Sequence, residues 1–227
     1  MFDFHGTIAH LIDRLTSEEA SDFLQQHGYE VYPQSWEAAC HYVLMIDYPR
    51  HGYTSRPAFL KQVFRRLNLK VGNQTTQQLA KLQEQRDTYH LFPDVAPAIA
   101  QARQLKMRTA IVTTIPDYVV NKAIEPVKTG FDLIMTGRRA KCEKSNPIMH
   151  KKTLIELSVP ANQAVMIGDE LLVDIEIPKK LGMHTILLDR QGSKSKSSEA
   201  DERVANLTEA MTIIEKWHRR RASDKST

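Results

Sequence analysis

The chain has 227 residues, 41% of them hydrophobic and 26% charged, which is the composition of an ordinary soluble globular protein long enough to bury a full core and carry a second small domain. Its formal net charge of +4 is mostly a property of the end of the chain. There Arg219, Arg220, Arg221 and Lys225 stand against Asp224, so the basicity reads as a solvated tail and not as a nucleic-acid footprint. Cys40 and Cys142 lie far apart with no metal or redox spacing, as expected of free thiols in a reducing compartment. No basic start with an apolar run suggests a signal peptide, and no apolar run has the length of a membrane span. A cytoplasmic protein with no membrane partner is expected; the oligomeric state is open.

In chain order, Met1-Phe2-Asp3-Phe4-His5-Gly6-Thr7 reads as an apolar strand stopped at a Gly-Thr turn. This leaves the Asp3 carboxylate at the strand's carboxyl end, where open α/β sheets bind ligands. After Thr7 the pattern becomes helical as far as Tyr89. Thr16 with Glu19 forms a capping-box signature and Gly28 a stop. Trp36 to Met45 is a second helix, and Ser55 and Pro57 open a third with Phe59, Leu60, Val63, Phe64 and Leu67 on one stripe. Gln74 to Tyr89 is the fourth.

Strand and helix then alternate. Asp94 caps a helix reaching Leu105, with Pro97 in its first turn. Thr109 to Val112 is a strand delivering Thr113 and Thr114, followed by a helix from Asp117 to Ile124 and a strand from Phe131 to Met135. Residues 137–144 form a loop that contains Lys144. Asn146-Pro147 is a helix start, an Asn cap followed by Pro at the first helical position, and that helix runs to Leu157. Ala164 to Ile167 is a strand, Asp174 to Leu181 a helix stopped by Gly182, and Thr185 to Leu188 the last core strand. Such alternation is the sequence form of a parallel, doubly wound, Rossmann-like α/β sheet. Residues 191–203 shift to Ser, Lys and Glu and read as a mobile surface loop. Leu207 to Trp217 is a closing helix, and 218–227 a frayed basic tail.

Four segments carry chemistry: the Asp3 turn, the strand ending in Thr113, Lys144-Ser145-Asn146-Pro147, and Gly168-Asp169-Glu170-Leu171-Leu172-Val173-Asp174. In this order they resemble the haloacid dehalogenase superfamily of hydrolases, whose members are mostly magnesium-dependent phosphatases. The resemblance runs from Phe2 to about Asp189 and implies a core of residues 1–12 and 91–217 with a helical cap, residues 13–90, inserted between the first two motifs. It departs from the family pattern at one position, since the second Asp of the first motif is His5 here.

The resemblance also implies roles. Asp3 would attack phosphorus and form an aspartyl-phosphate. Mg2+ would take the Asp3 carboxylate, the backbone carbonyl of His5 and Asp169, hard oxygen ligands of the kind it prefers. Glu170 or Asp174 would hold metal-bound waters, Asp174 being favoured because it matches the family's second acidic residue. Thr113, with Thr114 beside it, would bind the phosphoryl group, and Lys144 would balance the charge. His5 would stand in the general acid/base position, a task imidazole can perform near neutral pH. In the cap, Arg50 or His51, in the turn-rich stretch from Asp47 to Tyr53, is the group expected to reach an anionic leaving group and select a small phosphorylated substrate such as a sugar phosphate or a short phospho-acid. Two other readings stay open at His5. One is a catalytically weakened or binding member of the family; the other is a carbon-centred hydrolase such as a haloacid dehalogenase, which needs no metal.

Overall fold

In the computed structural model, which describes residues 1–192 and 199–224, the opening segment is the middle of a parallel sheet. Phe2 lies between β3 (Ala110–Thr113) and β5 (Val165–Gly168). Its N–H donates to the Ala110 carbonyl at 2.8 Å, and the Asp3 N–H donates to the Ile167 carbonyl at 2.9 Å. On one side β3 pairs in parallel with β4 (Leu133–Thr136); on the other, β5 pairs with β6 (His184–Leu188) and β6 with β7 (Glu202–Val204). Alternate strand residues face opposite layers, as the two-residue repeat of a strand requires. Ile111 and Ile167 pack against α6 (Val95–Gln104), α7 (Asp117–Ala123) and α11 (Leu207–Asp224). Ala110, Val112 and Met166 instead face α9 (Pro147–Leu157). Helices on both faces make this the doubly wound α/β architecture read from the sequence.

Between the opening segment and β3 the chain builds a helical bundle of α1 (Ser17–Gln26), α2 (Pro33–Tyr42), α4 (Arg56–Arg66) and α5 (Asn73–Arg86). It closes over its own apolar cluster, which includes Leu24, Trp36, Leu60, Phe64 and Leu79. The capping box at Thr16 and Glu19 is present, and Ser55 caps α4.

Several expectations are corrected. The stretch after Thr7 is not all helix, because β1 (Ala9–Asp13) pairs antiparallel with β2 (Thr88–Leu91) at the base of the bundle. Two short strands so far apart in sequence leave no local periodic signal. Tyr89 belongs to β2 and not to the fourth helix. The stretch from Asp47 to Tyr53 is not merely turns, since it contains the short helix α3 (Tyr48–His51), which follows a π-helical turn over Val43–Asp47. Residues 137–144 begin with another short helix, α8 (Gly137–Ala140). The helix after β5 opens with a π-helical turn over Leu171–Glu176 and continues as α10 (Ile177–Lys180).

Asp94 does not cap α6 through its side chain. Its carboxylate instead accepts Arg190 at 2.9 and 3.0 Å and the Leu207 N–H at 2.8 Å, so a charged partner and the start of α11 win over the local cap. Within the expected 191–203 loop, residues 202 and 203 pair with β6. The closing helix runs past Trp217 to Asp224, where a frayed tail was expected. Residues 193–198 and 225–227 lie outside the described residues.

The bundle is also tied to the sheet. Tyr48 of α3 is fully buried and its hydroxyl donates to Asp117. Asp117 also accepts Thr136 Oγ1 and Arg138 Nε, each at 2.7 Å. Among the described residues no helix is long and apolar enough to cross a membrane.

Candidate active site

The carboxyl ends of the central strands bring the sequence motifs together. Asp3 leaves the sheet one residue after Phe2, and the chain then turns at Gly6, whose φ of +79° is a left-handed conformation that glycine takes without penalty. A Cβ on Gly6 would lie 2.7 Å from Asp169, so the absent side chain is what lets the two motif loops touch. Gly168 serves the same end at β5, where a Cβ would lie 2.2 Å from the Asp174 carboxyl. Lys144 comes in from the loop before α9, whose first turn is fixed by Asn146 accepting the Ile148 N–H at 3.0 Å.

Asp3, Asp169 and Asp174 each place a carboxylate oxygen within 4.8 Å of the other two. The Lys144 ammonium donates to Asp3 and stands 2.6 Å from Asp174 Oδ1. Asp174 Oδ2 also accepts the Glu170 N–H at 3.0 Å. Lys144, Asp3 and Asp174 are all buried, with side-chain exposures of 6%, 10% and 0%. Burial pushes the Asp3 carboxyl up to about 8, with Lys144 opposing the rise and Asp174 adding to it. Burial likewise raises Asp174 against the pull of Lys144. The lysine itself is held charged: burial works against its charge, but Asp174 and Asp3 outweigh it.

Two buried carboxylates against one ammonium, with Asp169 half-buried beside them, leave an excess of negative charge, and such charge is costly unless a cation joins it. An all-oxygen donor set suits a hard divalent ion such as Mg2+. Extra positive charge would also return Asp3 to the ionised form a nucleophile needs at neutral pH. The residues present therefore fit the metal that the motifs imply.

In front of this cluster lies a cavity of about 630 Å³ between bundle and sheet, lined by Asp3, His5, Thr113, Thr114, Lys144 and Glu170 among others. Thr113 is buried, and its Oγ1 accepts the Ile115 N–H at 3.1 Å, which leaves its own proton to donate. His5 is exposed toward the cavity, its ring edge-on to Tyr89 with centroids 5.7 Å apart. Arg50 is not brought to the site: it is exposed on the last turn of α3 and does not line the cavity. The arginines that do are Arg14 and Arg56. Sequence reasoning passed over both, because Arg56 is marked only through Asp87, its partner at 2.7 Å from a different element. A larger cavity of about 700 Å³ at the amino ends of the strands is lined by apolar groups such as Met1, Leu157, Met211 and Trp217 and lacks this acidic cluster.

A family model described as Haloacid dehalogenase-like hydrolase matches residues 1–188. A ribulose-1,5-bisphosphate 5-phosphatase of Halopiger xanaduensis is 28% identical over 122 residues, 53% of this chain and 51% of that protein. A phosphoserine phosphatase of Thermus thermophilus is 26% identical over 129 residues, 55% of this chain and 51% of that one. The chain thus spans about half the length of either relative. The crystal structure of a 2-haloacid dehalogenase from Pseudomonas syringae pv. Tomato superposes with a TM-score of 0.69 at 19% identity, covering 95% of this chain and 97% of that one. At that identity the likeness is one of fold.

Proposed function

Because the chain belongs to the haloacid dehalogenase-like hydrolase family, we propose that it is a magnesium-dependent phosphatase acting on a small phosphorylated compound through an aspartyl-phosphate on Asp3. The observation that carries this reading is the convergence of the Asp3, Asp169 and Asp174 carboxylates on one another, with one buried lysine paired to Asp3 and Asp174. A carbon-centred hydrolysis would also use Asp3 as nucleophile but needs no metal, and it gives a third carboxylate, Asp169, no role beside Asp3 and Asp174. The two phosphatases described above are named for small phosphorylated compounds, which supports the substrate class.

In this mechanism an Asp3 carboxylate oxygen attacks phosphorus as the bond to the leaving oxygen breaks. The Thr113 hydroxyl donates to a phosphoryl oxygen, and Lys144 offsets negative charge from the protein side. Asp174, fixed by the Glu170 N–H, positions that lysine. His5 protonates the departing alkoxide and then takes a proton from the water that attacks the aspartyl-phosphate. Asp3, the His5 carbonyl and Asp169 would hold Mg2+, with Asp174 fixing its waters, and the ion would supply positive charge to the phosphoryl group. The bundle serves as the cap that shields these steps from solvent.

The covalent step is tested by quenching the protein in acid during turnover of p-nitrophenyl phosphate and mapping phosphorylated peptides by mass. The phosphoryl group is expected on Asp3. Product release with Asp3 unmodified throughout would overturn the mechanism.

A further inference from the structure

The wall of the cavity that faces Asp3 from the bundle carries polar groups that no step above uses. Arg56, at the start of α4, is 12% exposed and gives one guanidinium nitrogen to Asp87 at 2.7 Å. Its Nε is buried with no hydrogen-bond partner among the described residues. Gln83 of α5 is 8% exposed, and its Oε1 is likewise buried and unpartnered. Which way this amide is turned is an assignment, so it offers either a donor or an acceptor to the cavity. Buried polar groups left this way cost free energy that a bound group removes.

Two tyrosines line the same cavity, Tyr89 from β2 and Tyr118 from α7. Burial pushes each hydroxyl up to about 12, with the Arg56 charge nearby pulling the other way, so both are protonated donors at neutral pH. Arg14, just past β1, is exposed on the cavity lining and its guanidinium has no ion-pair partner among the described residues. Of the other acids on the lining, Asp87 is spent on Arg56 and on the Leu15 N–H at 2.9 Å, while Glu37 and Glu170 are exposed and therefore screened. What remains is a set of donors drawn from three helices and the β1–β2 pair, with little left to accept. A donor-rich recess of this kind suits a group that only accepts, and guanidinium is the side chain best matched to carboxylate or phosphate.

We infer that Arg56, Arg14, Tyr89, Tyr118 and Gln83 form a second anion subsite, so that the preferred substrate is a phosphate monoester whose leaving group carries its own carboxylate or phosphate. This rests on the phosphatase reading above. The first anion is transferred at Asp3 and the second is gripped by the bundle, which joins substrate choice to the seating of the bundle over the site.

A matched series tests it: propyl phosphate, the phosphate ester of 3-hydroxypropionate, and propane-1,3-diol bisphosphate, each assayed for kcat/KM with Mg2+. The wild type should favour at least one charged ester over propyl phosphate by about tenfold or more, the scale of a hydrogen bond to a charged group. The better of the two charged esters tells carboxylate from phosphate. Arg56→Gln should collapse that preference, and so should Arg14→Gln, whose exposed side chain has no folding role to lose. No preference in the wild type, or variants that lower all three esters equally, would overturn the subsite and leave ordered water as its occupant.

If no ester is hydrolysed, the phosphatase reading fails, and a binding measurement still decides the subsite. Calorimetric titration should show 3-phosphonopropionate binding about tenfold tighter than propylphosphonate, with the difference lost in Arg14→Gln. Equal binding of the two phosphonates would overturn it.

Discussion

Two clusters in this molecule have the same make-up, one cation between two carboxylates, and opposite characters. At the base of the bundle Arg86 meets Asp13 at 2.5 Å and Glu19 at 2.9 Å, with side-chain exposures of 35%, 46% and 41%. At the sheet's carboxyl end Lys144 meets Asp3 and Asp174, with exposures of 6%, 10% and 0%. In the first, Arg86 and a local backbone N–H hold both carboxyls below the usual range. In the second, burial drives both carboxyls up in spite of the lysine, and Asp169 adds a third. The exposed cluster is complete as it stands and fastens the β1–β2 base. The buried one is short of positive charge, and that shortage marks a place where a ligand belongs.

The comparison is broken most severely by removing each cation. Lys144→Met leaves Asp3 and Asp174 buried together, and the free energy of urea unfolding at pH 7 should fall by about 3–5 kcal/mol. Arg86→Met, whose partners stay in water, should shift the urea midpoint far less. Gly168→Ala is the next largest change, because its methyl must push the Asp174 carboxyl aside. It should cost about 1–3 kcal/mol and weaken calorimetric Mg2+ binding, whereas Gly28→Ala, with nothing within 4 Å of the added methyl, should leave Mg2+ binding alone.

His150 sharpens the point about burial with a smaller effect. It is fully buried on α9, and burial, helped by the Lys144 charge, lowers its pKa from 6.5 to about 3. Between those values the unfolded chain binds a proton that the folded one does not, so stability falls as pH drops from about 6.5 toward 3 and is retained above that window. The slope from this residue is about 1.4 kcal/mol per pH unit, and it should vanish from the pH dependence of the urea midpoint in His150→Leu. Smallest of all, Arg50→Ala should leave specificity ratios among phosphate esters unchanged, since Arg50 does not line the cavity. A changed ratio would restore α3 as a selector.

How much of this was legible in the sequence depended on whether the signal was local. The parallel core was, because Ala110-Ile111-Val112 and Val165-Met166-Ile167 are apolar runs ending in a polar group, and Asn146-Pro147 is a self-contained helix start. Asp3, Thr113, Lys144 and Asp169 stood out only as an ordered set, which a family pattern supplies and periodicity does not. The antiparallel pair of β1 and β2 was not legible, since each strand is too short to show a period and its partner lies across the whole bundle. Asp94 misled for a related reason: it sits where a cap belongs, yet Arg190 and the Leu207 N–H, both remote in sequence, claim its carboxylate. The Arg56 and Gln83 wall was hidden in the same way, because polar residues on an amphipathic helix look alike until packing decides which of them are buried.

On the reading proposed above, the buried, charge-deficient cluster is a phosphoryl-transfer site completed by Mg2+. The most direct measurement is phosphate release from p-nitrophenyl phosphate with Mg2+ and with chelator, using Asp3→Asn as the blank. The account predicts turnover that depends on Mg2+ and falls to background in Asp3→Asn. No turnover above that blank, in a folded wild-type protein that still binds Mg2+, would contradict it and make His5 the mark of a binding protein.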